Sequence, residues 1–467
     1  MVVSKKSLKK TAVNQPVNNE KMREQSPLLA TLQTYLSCHL KPNATLLLAL
    51  SGGLDSCVLL HLLVAAKQTH NFNLCALHVH HGLSANADAW AAFCAEQCEL
   101  LNVPLEIVHV NLNAHAKLGI EAAARKLRYE ALFSNVSADF VVTAHHQDDQ
   151  AETLLLQLFR GAGVKGLASM AMVDAPRRLM RPLLDISRST LQAYAVERGI
   201  AWCDDESNSN TDFERNFVRH EVLPVVQMHY PAIKSVLART ASHLAEANNL
   251  LDTLASLDAE NLLKENSLCL QGLSVLDEEA LNNPRNKARA KNVLRWWFAK
   301  NKLVMPNAEH LDEIITQLLN AKVDANLNIS LQHLTLKRYQ QKAYLIQAHE
   351  AHTFDLVWSG ENFLALPNGG KLVFTQVKGA GLALKFGMEK LRITNRNGGE
   401  RFKPNALRPT RTLKHLLQEA SIPPWQRDSL PLIYWHDTLA FVPNIGVAHE
   451  LQAAENELGL VIDWQQL

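Results

Sequence analysis

Residues 46–60 read LLLALSGGLDSCVLL, and this stretch decides the fold class of the chain. Thr45–Leu50 is a short apolar run that predicts a strand, and Asp55–Ala66 has the apolar spacing of a helix. Gly52 and Gly53 lie between them, where glycines let the backbone approach a ligand closely. The stretch therefore predicts a strand, a tight turn and a helix in direct succession.

The turn has the composition of an anion-binding loop. Backbone N–H groups and the positive end of the helix dipole point toward such a loop, and hydroxyl side chains add donors. The same residues also fit a tight turn that binds nothing. The Gly-x4-Gly-Lys-Ser/Thr pattern is absent, so γ-phosphate transfer is not indicated. The predicted nucleotide-binding residues are Ser51, Gly52, Gly53, Leu54, Asp55 and Ser56.

Strand-like and helix-like segments alternate from residue 27 to residue 225. Further strands are predicted at Leu74–Val79, Leu105–Val110 and Phe140–Ala144, and helices at Ala85–Leu101 and Ile120–Phe133. This order predicts the α/β class, with a doubly wound parallel sheet covered on both faces. Ligands bind at the carboxyl ends of the strands in such sheets, which is where the loop falls.

The pattern changes after residue 225. Residues 1–26 carry Lys5, Lys6, Lys9 and Lys10 with few apolar residues, and they are predicted to be a disordered basic tail. Helices are predicted at Arg285–Lys302 and from Asn307 onward, followed by a hairpin of Ile329–Arg338 and Lys342–Ile346. The predicted regions are a catalytic domain over 27–225, a mainly helical domain over 226–350, a linker with strands over 351–385 and a small α+β domain over 386–467.

Bulk composition excludes several classes of protein. The 467 residues carry a net charge of +1 and are 47% hydrophobic, which is typical of a globular protein with more than one domain. Seven cysteines include no Cys-x-x-Cys pair, so a disulfide framework and a zinc ribbon are not favoured, and a reducing cytoplasm is predicted. No apolar run has the length of a membrane span. The oligomeric state, a homodimer included, stays open, and no obligate protein partner is evident.

A cluster of carboxylates and histidines follows the fourth predicted strand. His145 precedes Asp149 by four residues and Glu152 follows it by three, so a helix would place the three on one face. Carboxylates near a phosphate loop can hold Mg²⁺ or accept a proton. Helix capping by Asp148 or Asp149, with His145 merely packed, is the alternative.

Two other clusters are less specific. Arg125 and Arg128 share a helix face and could stabilise phosphate charge, although a solvated basic face gives the same spacing. His78, His80 and His81 end the second predicted strand. Because neighbouring strand residues face opposite ways, a metal site is less favoured than a cleft lining.

Two segments are strongly basic. Lys390–Arg427 contains nine Lys or Arg and two Glu, and Arg285–Lys302 contains seven Lys or Arg and no acid. Positive faces of this kind bind RNA phosphates and release counterions, although a solvated helix face also fits. The predicted RNA contacts in these segments are Lys287, Lys291, Arg295, Arg401, Arg411, Lys414 and Arg427.

The hexapeptide Ser51–Ser56 resembles the PP-loop of the N-type ATP pyrophosphatases, which cleave ATP to AMP and pyrophosphate. Within that superfamily the chain resembles the tRNA(Ile)-lysidine synthase family, from about residue 30 to the end. The matching segments are 51–56, 79–84, 121–129, 145–153, 181–184, 205–208, 215–219, 397–401, 413–419 and 422–425, together with Arg427.

The resemblance implies a reaction and its participants. The enzymes of this family join free L-lysine to the wobble cytidine of the isoleucine tRNA with anticodon CAU, through an adenylated cytidine. ATP and Mg²⁺ are then required. Asp55 and Asp149 are implied in Mg²⁺ or base roles, and His145 and Glu152 in contacts with ATP or lysine. The arginines implied for phosphate charge or substrate are Arg125, Arg215 and Arg219, although surface salt bridges are the alternative for Arg215 and Arg219.

A PP-loop tRNA thiolase is the alternative. Such an enzyme also adenylates a base carbonyl, but it would typically need a Cys-x-x-Cys cluster or a persulfide cysteine. Neither spacing occurs among the seven cysteines. A degenerate protein without catalysis is disfavoured because Asp55, Asp149 and Glu152 are all present.

Overall fold

The fold was analysed in a computed structural model. It describes residues 26–82, 84, 86–111, 120–134, 137–204, 210–264, 267–278, 285–321, 327–347, 353–367, 369–387 and 390–465. Contacts divide the chain into two compact units, residues 1–251 and 252–467. The predicted N-terminal tail, apart from Ser26, and the 205–208 motif lie outside the described residues.

The first unit alternates strands and helices. Its strands are β1 (Ala44–Ala49), β2 (Phe72–His80), β3 (Leu105–His109), β4 (Phe140–Val142), β5 (Val173–Asp174) and β6 (Leu179–Met180). Its helices are α1 (Pro27–His39), α2 (Leu54–Ala66), α3 (Ala87–Leu100), α4 (Ile120–Ser134), α5 (Gln147–Phe159), α6 (Val164–Leu167), α7 (Arg188–Arg198), α8 (Glu214–Phe217), a π-helical turn (Val218–Val222), α9 (Leu223–His229) and α10 (Ile233–Glu260).

The strands form one six-stranded sheet in the order β3-β2-β1-β4-β6-β5, parallel except for the β5–β6 pair. Alternate residues of β1 enter different cores, as the two-residue period of a strand requires. Leu46 and Leu48 pack with α1, α2 and α7, whereas Leu47 packs with Leu132 of α4. Both faces of the sheet are therefore covered, and the predicted α/β class is confirmed.

The order in which strands are added to the sheet reverses between β1 and β4. From β1 the chain winds outward through β2 to β3, and β4 lies on the other side of β1. The carboxyl ends of two such strands leave a crevice between their following loops, which is the topological switch point of open α/β sheets. Helices α2 and α5 begin at this crevice.

The second unit begins with helices packed on a small sheet. Its first elements are β7 (Leu263–Lys264), β8 (Ser267–Cys269), α11 (Leu270–Glu278), α12 (Arg285–Lys300), α13 (Ala308–Asn320), β9 (Asn328–Leu331), β10 (Leu334–Tyr339) and β11 (Lys342–Gln347). The five strands have the order β7-β8-β11-β10-β9. The predicted first arm of the hairpin is two strands, because a turn at Gln332, with a φ of 54°, breaks it.

The remaining elements are mainly strands around a separate apolar core. They are β12 (Asp355–Trp358), β13 (Phe363–Ala365), β14 (Lys371–Lys378), β15 (Leu382–Ala383), β16 (Leu391–Thr394), β17 (Arg401–Phe402), β18 (Arg411–Thr412), α14 (Leu413–Glu419), α15 (Pro424–Arg427), β19 (Leu432–Trp435), β20 (Thr438–Val442), β21 (Gly446–Val447) and β22 (Leu458–Gln465). Phe402, Leu413, Leu417 and Ile433 lie in the core, which joins strands to α14. This agrees with the predicted α+β character.

Helix length and apolar content were also compared with a membrane span. Within the described part of the chain, none of the helices is long and apolar enough to cross a bilayer.

Candidate active site at the carboxyl ends of β1 and β4

The glycine loop connects β1 to α2 at the crevice. Gly53 is the N-cap residue of α2 and no side chain caps this helix end. Ser51 Oγ lies 3.0 Å from Ser56 Oγ, and the Ser56 hydroxyl donates to Gly53 O at 2.9 Å. The N-terminal end of α2 thus has backbone N–H groups without a side-chain cap, which fits an anion site, and the binding of an anion there stays a prediction.

Gly52 has the one conformation in this loop that demands glycine. Its φ is +83°, and a Cβ there would lie 3.0 Å from Cys94 Sγ. Its carbonyl accepts from the backbone N–H of Cys203 at 2.9 Å and from the Cys57 thiol at 3.3 Å. Hydrogen bonds from Cys203 and Cys57 thus hold the Gly52 carbonyl in place.

Helix α5 brings carboxylates to the same crevice from β4. Asp149 Oδ2 accepts from the backbone N–H of His146 at 3.0 Å, so Asp149 does cap the helix. Glu152, one turn further along, is only 1% exposed. Helix capping, the alternative raised from the sequence, therefore uses only one oxygen of Asp149. The other oxygen can bind a second partner.

Two arginines from α8 and the π-helical turn neutralise these carboxylates. Arg215 Nε lies 2.7 Å from Glu152 Oε2, and its Nη2 lies 2.8 Å from Asp149 Oδ1. Arg219 Nε lies 2.6 Å from Glu152 Oε1, and its Nη2 lies 3.3 Å from Asp149 Oδ1. Burial opposes ionisation of Asp149, but the charges of His146 and Arg215 outweigh it and lower its pKa to about 2. The four side chains form a network of zero net charge, in which the carboxylates are buried and the guanidinium groups are partly exposed.

His146 joins this network to the glycine loop. Its Nε2 lies 3.5 Å from both Asp55 Oδ2 and Asp149 Oδ2. Burial would lower the pKa of His146, but its bond to Asp55 and the charge of Asp149 raise the pKa above the usual value. The sequence analysis passed over His146, although its position three residues before Asp149 was a usable signal.

Asp55 differs from Asp149 in having an oxygen to spare. Its Oδ2 faces His146 and lies 4.0 Å from Arg188 Nε, whereas its buried Oδ1 has no hydrogen-bond partner within the described residues. An unpartnered carboxylate oxygen beside a phosphate loop fits a hard cation such as Mg²⁺. Both oxygens of Asp149 are already engaged, so Asp149 fits the metal role less well.

His145 lies ahead of α5 rather than on it. Its Nδ1 lies 2.8 Å from Thr143 Oγ1, so it does not share the helix face of Asp149 and Glu152 that the spacing predicted. Burial lowers the pKa of His145 to about 3, which keeps the imidazole neutral. Arg125 is exposed on α4, and its charge is one of the smaller causes of that lowering.

The sequence suggested only a capping role for Asp148. In the structure its side chain connects three helices. Its Oδ1 accepts from the backbone N–H of Arg188 at 3.1 Å, and its Oδ2 lies 2.6 Å from Lys234 Nζ. These bonds tie the start of α5 to α7 and α10. Sequence spacing gave no signal for them, because 40 and 86 residues separate the partners.

Two histidines at the carboxyl end of β2 have protein partners. His78 Nδ1 lies 2.9 Å from Leu50 O, and His80 Nε2 lies 3.0 Å from Asp88 Oδ1. The described residues contain no group of three or more His, Cys, Asp or Glu side chains arranged to hold a metal ion. For His81, a role in lining the cleft stays a prediction. Burial lowers the pKa of this histidine to about 4.

In the basic segments of the second unit, some cationic side chains are exposed and others form ion pairs. Lys291 Nζ lies 2.6 Å from Asp312 Oδ1 and is 23% exposed, whereas Arg295 is exposed; the side chain of Lys287 lies outside the described residues. Arg401 and Lys414 are exposed, and Arg411 pairs with Glu419.

Arg427 stands apart from the other residues of the basic segment. It is 6% exposed; its Nε donates to Ile422 O at 2.8 Å and its Nη2 to the Tyr339 hydroxyl at 3.0 Å. A guanidinium in this setting supports the protein and is not placed to contact RNA phosphate directly.

Comparison with known families first gives the class. The family described as "PP-loop domain" matches residues 23–226, which contain the glycine loop and the carboxylate network. The "TilS substrate binding domain" matches residues 286–344 and the "TilS substrate C-terminal domain" residues 391–464. The first unit is thus a PP-loop ATP-binding domain.

Similarity to curated proteins then gives the particular family. The tRNA(Ile)-lysidine synthase of Nitrosomonas europaea is 40% identical, covering 92% of this chain and 93% of that protein. Those of Azoarcus sp. and Coxiella burnetii are 40% and 37% identical, each over 91% of this chain and over 92% and 94% of their own length. The chain belongs to the tRNA(Ile)-lysidine synthase family.

Proposed function

We propose that this protein ligates L-lysine to C2 of the wobble cytidine in the isoleucine tRNA with anticodon CAU. ATP is cleaved to AMP and pyrophosphate, and the product is lysidine. One observation carries the proposal: Asp55, beside the glycine loop, has an Oδ1 without a hydrogen-bond partner within the described residues, while its Oδ2 faces His146, which also faces Asp149. Family membership supports the tRNA substrate.

The first step is adenylation of the cytidine. Cytosine O2 attacks the α-phosphorus, the bond from that phosphorus to the bridging oxygen breaks, and pyrophosphate leaves. The N-terminal end of α2 and the Ser51 and Ser56 hydroxyls suit the leaving pyrophosphate, because both offer donors to negative charge. The absence of a Walker lysine agrees with attack on the inner phosphate.

The second step is attack by the lysine ε-amine on C2. AMP leaves with the former O2, and the amine loses a proton. Because its pKa is near 10.4, the amine costs about 4–5 kcal/mol to deprotonate at pH 7. A carboxylate with a free lone pair beside the nucleophile offsets this cost. Asp55 has such an oxygen within the described residues, whereas Asp149 Oδ1 and both oxygens of Glu152 face arginines and Asp149 Oδ2 accepts from the His146 backbone N–H.

The carboxylates therefore divide their roles. Asp149 and Glu152 hold Arg215 and Arg219 in place, and those guanidinium groups, 23% and 26% exposed, present positive charge to the phosphates or the substrate. His145, neutral, and Arg125, exposed, complete the proposed contacts with ATP or lysine. Mg²⁺ would be held by Asp55, and when bound it would stabilise charge that develops on the phosphates.

The exposed cations of the second unit are proposed to bind the tRNA backbone. They are Arg295, Arg401, Arg411 and Lys414, whereas Arg427 is left out because it is buried. Positive side chains of this kind contribute affinity without reading sequence. A cytoplasmic location and a homodimer stay predictions.

Product analysis tests the proposal directly. Purified protein is incubated with the CAU isoleucine tRNA, ATP and labelled lysine, and nucleotides and nucleosides are separated. We expect one AMP, one pyrophosphate and one lysidine per tRNA, and none with methionine tRNA that has the same anticodon. ADP as the product, or a sulfur-modified base after addition of a sulfur donor, would overturn it.

A further inference from the structure

Three helices of the first unit begin at the edge of the sheet that holds the glycine loop. Strands β1, β4 and β6 are neighbours and run parallel, so their carboxyl ends lie at one edge. Helices α2, α5 and α7 follow these strands, and α7 packs against α2. Helix α7 therefore starts beside the crevice already formed by α2 and α5, and its first residue is Arg188.

Hydrogen bonds from α5 hold the start of α7 in place. The backbone N–H of Gln147 donates to Ile186 O at 2.9 Å, and Asp148 Oδ1 accepts from the backbone N–H of Arg188 at 3.1 Å. The backbone of Arg188 is thus fixed relative to the carboxylates of α5. Its side chain is 49% exposed and can turn toward a ligand.

Arg188 differs from the other arginines of the site in its contacts. Its Nε lies 4.0 Å from Asp55 Oδ2, and its guanidinium makes no hydrogen bond within the described residues. Arg215 and Arg219, by contrast, donate to the carboxylates of α5. A guanidinium has five N–H donors in a planar fork that matches a phosphate group. Those of Arg188 remain available to a ligand on the loop.

The charges around the loop indicate that the phosphates need a further cation. The loop contains no Walker lysine, and Asp55 adds a carboxylate beside it. The network of the α5 carboxylates and their two arginines has zero net charge, and Lys234 pairs with Asp148 at 2.6 Å. Pyrophosphate gains negative charge as it leaves, and this charge is stabilised by cations held close to it. Arg188 is a cation of this kind beside Asp55.

We propose that Arg188 is a further catalytic residue of the adenylation step, whose guanidinium donates to the β- and γ-phosphates of ATP. The inference rests on the proposed function, because it assigns a ligand contact within the same site. When the bond from the α-phosphorus to the bridging oxygen breaks, the electron pair stays on that oxygen. Arg188 stabilises the resulting charge on the departing pyrophosphate.

The test measures the affinity of the full-length protein for inorganic pyrophosphate and for AMP by isothermal titration, without tRNA or Mg²⁺. Arg188→Gln removes the charge, whereas Arg188→Lys keeps it. We expect the Gln variant to bind pyrophosphate about 10- to 150-fold more weakly than wild type, which is the loss of one charge-assisted hydrogen bond. The Lys variant should lose less, and AMP affinity should be unchanged in both.

Arg177→Gln is the matched control. Arg177 lies in the turn before β6, at the amino ends of the parallel strands and therefore at the opposite edge of the sheet. It is 73% exposed and pairs with Asp174 at 3.5 Å, so the substitution removes the same charge from a comparable surface pair. Both affinities should match those of wild type.

A second background separates a phosphate contact from a role that acts only through Asp55. In Asp55→Asn protein, Arg188→Gln should lower pyrophosphate affinity by the same factor as in wild type, because the contact does not involve Asp55. A loss that disappears in this background overturns the inference, since Arg188 would then act by holding Asp55. Unchanged pyrophosphate affinity of the Gln variant, or an equal loss for AMP, also overturns it.

These titrations do not depend on lysidine formation. If wild-type protein binds pyrophosphate through Arg188 but yields no lysidine, the proposed function fails and the phosphate contact stands. If Arg188→Gln protein forms lysidine with unchanged kcat and unchanged KM for ATP, the inference fails and the proposed function stands. Circular dichroism checks the fold of the Gln variant, and the Lys variant supplies the comparison with wild type if the Gln variant is misfolded.

Discussion

Arginines of the first and second units carry the same charge in opposite settings. Arg215 and Arg219 each contact Asp149 and Glu152, and Glu152 is 1% exposed. Arg401, by contrast, is exposed on the surface of the second unit. A charge in the buried network is strongly coupled to its partners, whereas an exposed charge is screened by water and salt. Burial therefore decides whether an arginine affects stability and catalysis or long-range RNA binding.

The largest effect is expected at the boundary of the buried network. Asp55→Ala removes the site carboxylate whose Oδ1 has no hydrogen-bond partner within the described residues, and we expect lysidine formation to fall at least about 1000-fold because phosphate charge and the lysine proton lose their partner. Labelled-lysine incorporation measures it. Circular dichroism and an unchanged melting temperature show that the variant is folded. Retained activity would contradict the assignment of Asp55.

A paired substitution tests the energetic difference between the two settings. Glu152→Gln removes the buried charge between two arginines and should destabilise helix α5 by about 3–5 kcal/mol. Glu419→Gln, in an exposed pair with Arg408 and Arg411, should cost less than about 1 kcal/mol. Native-state hydrogen exchange of each segment measures the local free energy of opening. Similar losses of local stability at the two positions would contradict the expected difference between the buried and the exposed ion pairs.

The buried region is also expected to respond to acid. The folded-state pKa of His145 is about 3, below the unfolded value near 6.5, so the unfolded chain binds the proton first. Stability is therefore complete above about pH 6.5 and falls by about 3 kcal/mol as the pH decreases to 4. Urea unfolding at a series of pH values should show a shallower slope for His145→Gln. His415→Gln, at an exposed position, is the control and should match wild type.

The smallest effect is expected on the exposed surface. Lys414→Glu should weaken tRNA binding about tenfold, reduce the dependence of log affinity on log salt by about 1–2, and leave ATP binding intact. Lys371→Glu makes the same charge change at another exposed position of the second unit. Equal losses in both variants would mean that net charge, rather than the predicted patch, attracts the RNA.

The local features of the active site were predictable from the sequence. The apolar run ending in Gly52 and Gly53 gave the strand, loop and helix, because hydrophobic periodicity reports which face each element buries. The positions of Asp55 and Asp149 near the starts of helices that follow predicted strands indicated the edge of the sheet at which they lie. The family resemblance was also visible at this level, and the comparisons confirmed it.

Partner choice was not predictable, because it depends on residues far apart in the chain. Glu152 meets Arg215 across 63 residues, and Asp148 meets Lys234 across 86. His145 and His146 are adjacent, yet only His146 bridges Asp55 and Asp149, because helix α5 begins at Gln147. A sequence pattern does not predict the first residue of a helix to within one residue.

By itself, the sequence determined the α/β class, the phosphate loop and the residue types available for catalysis, since periodicity and glycine geometry are local properties. Only the tertiary structure decided that Asp55 keeps a free oxygen, that Asp149 and Glu152 are bound by arginines, and that Arg427 of the basic segment is buried under Tyr339. The physical reason is that desolvation and charge pairing depend on every element packed around a side chain. A sequence reports only the neighbours along the chain.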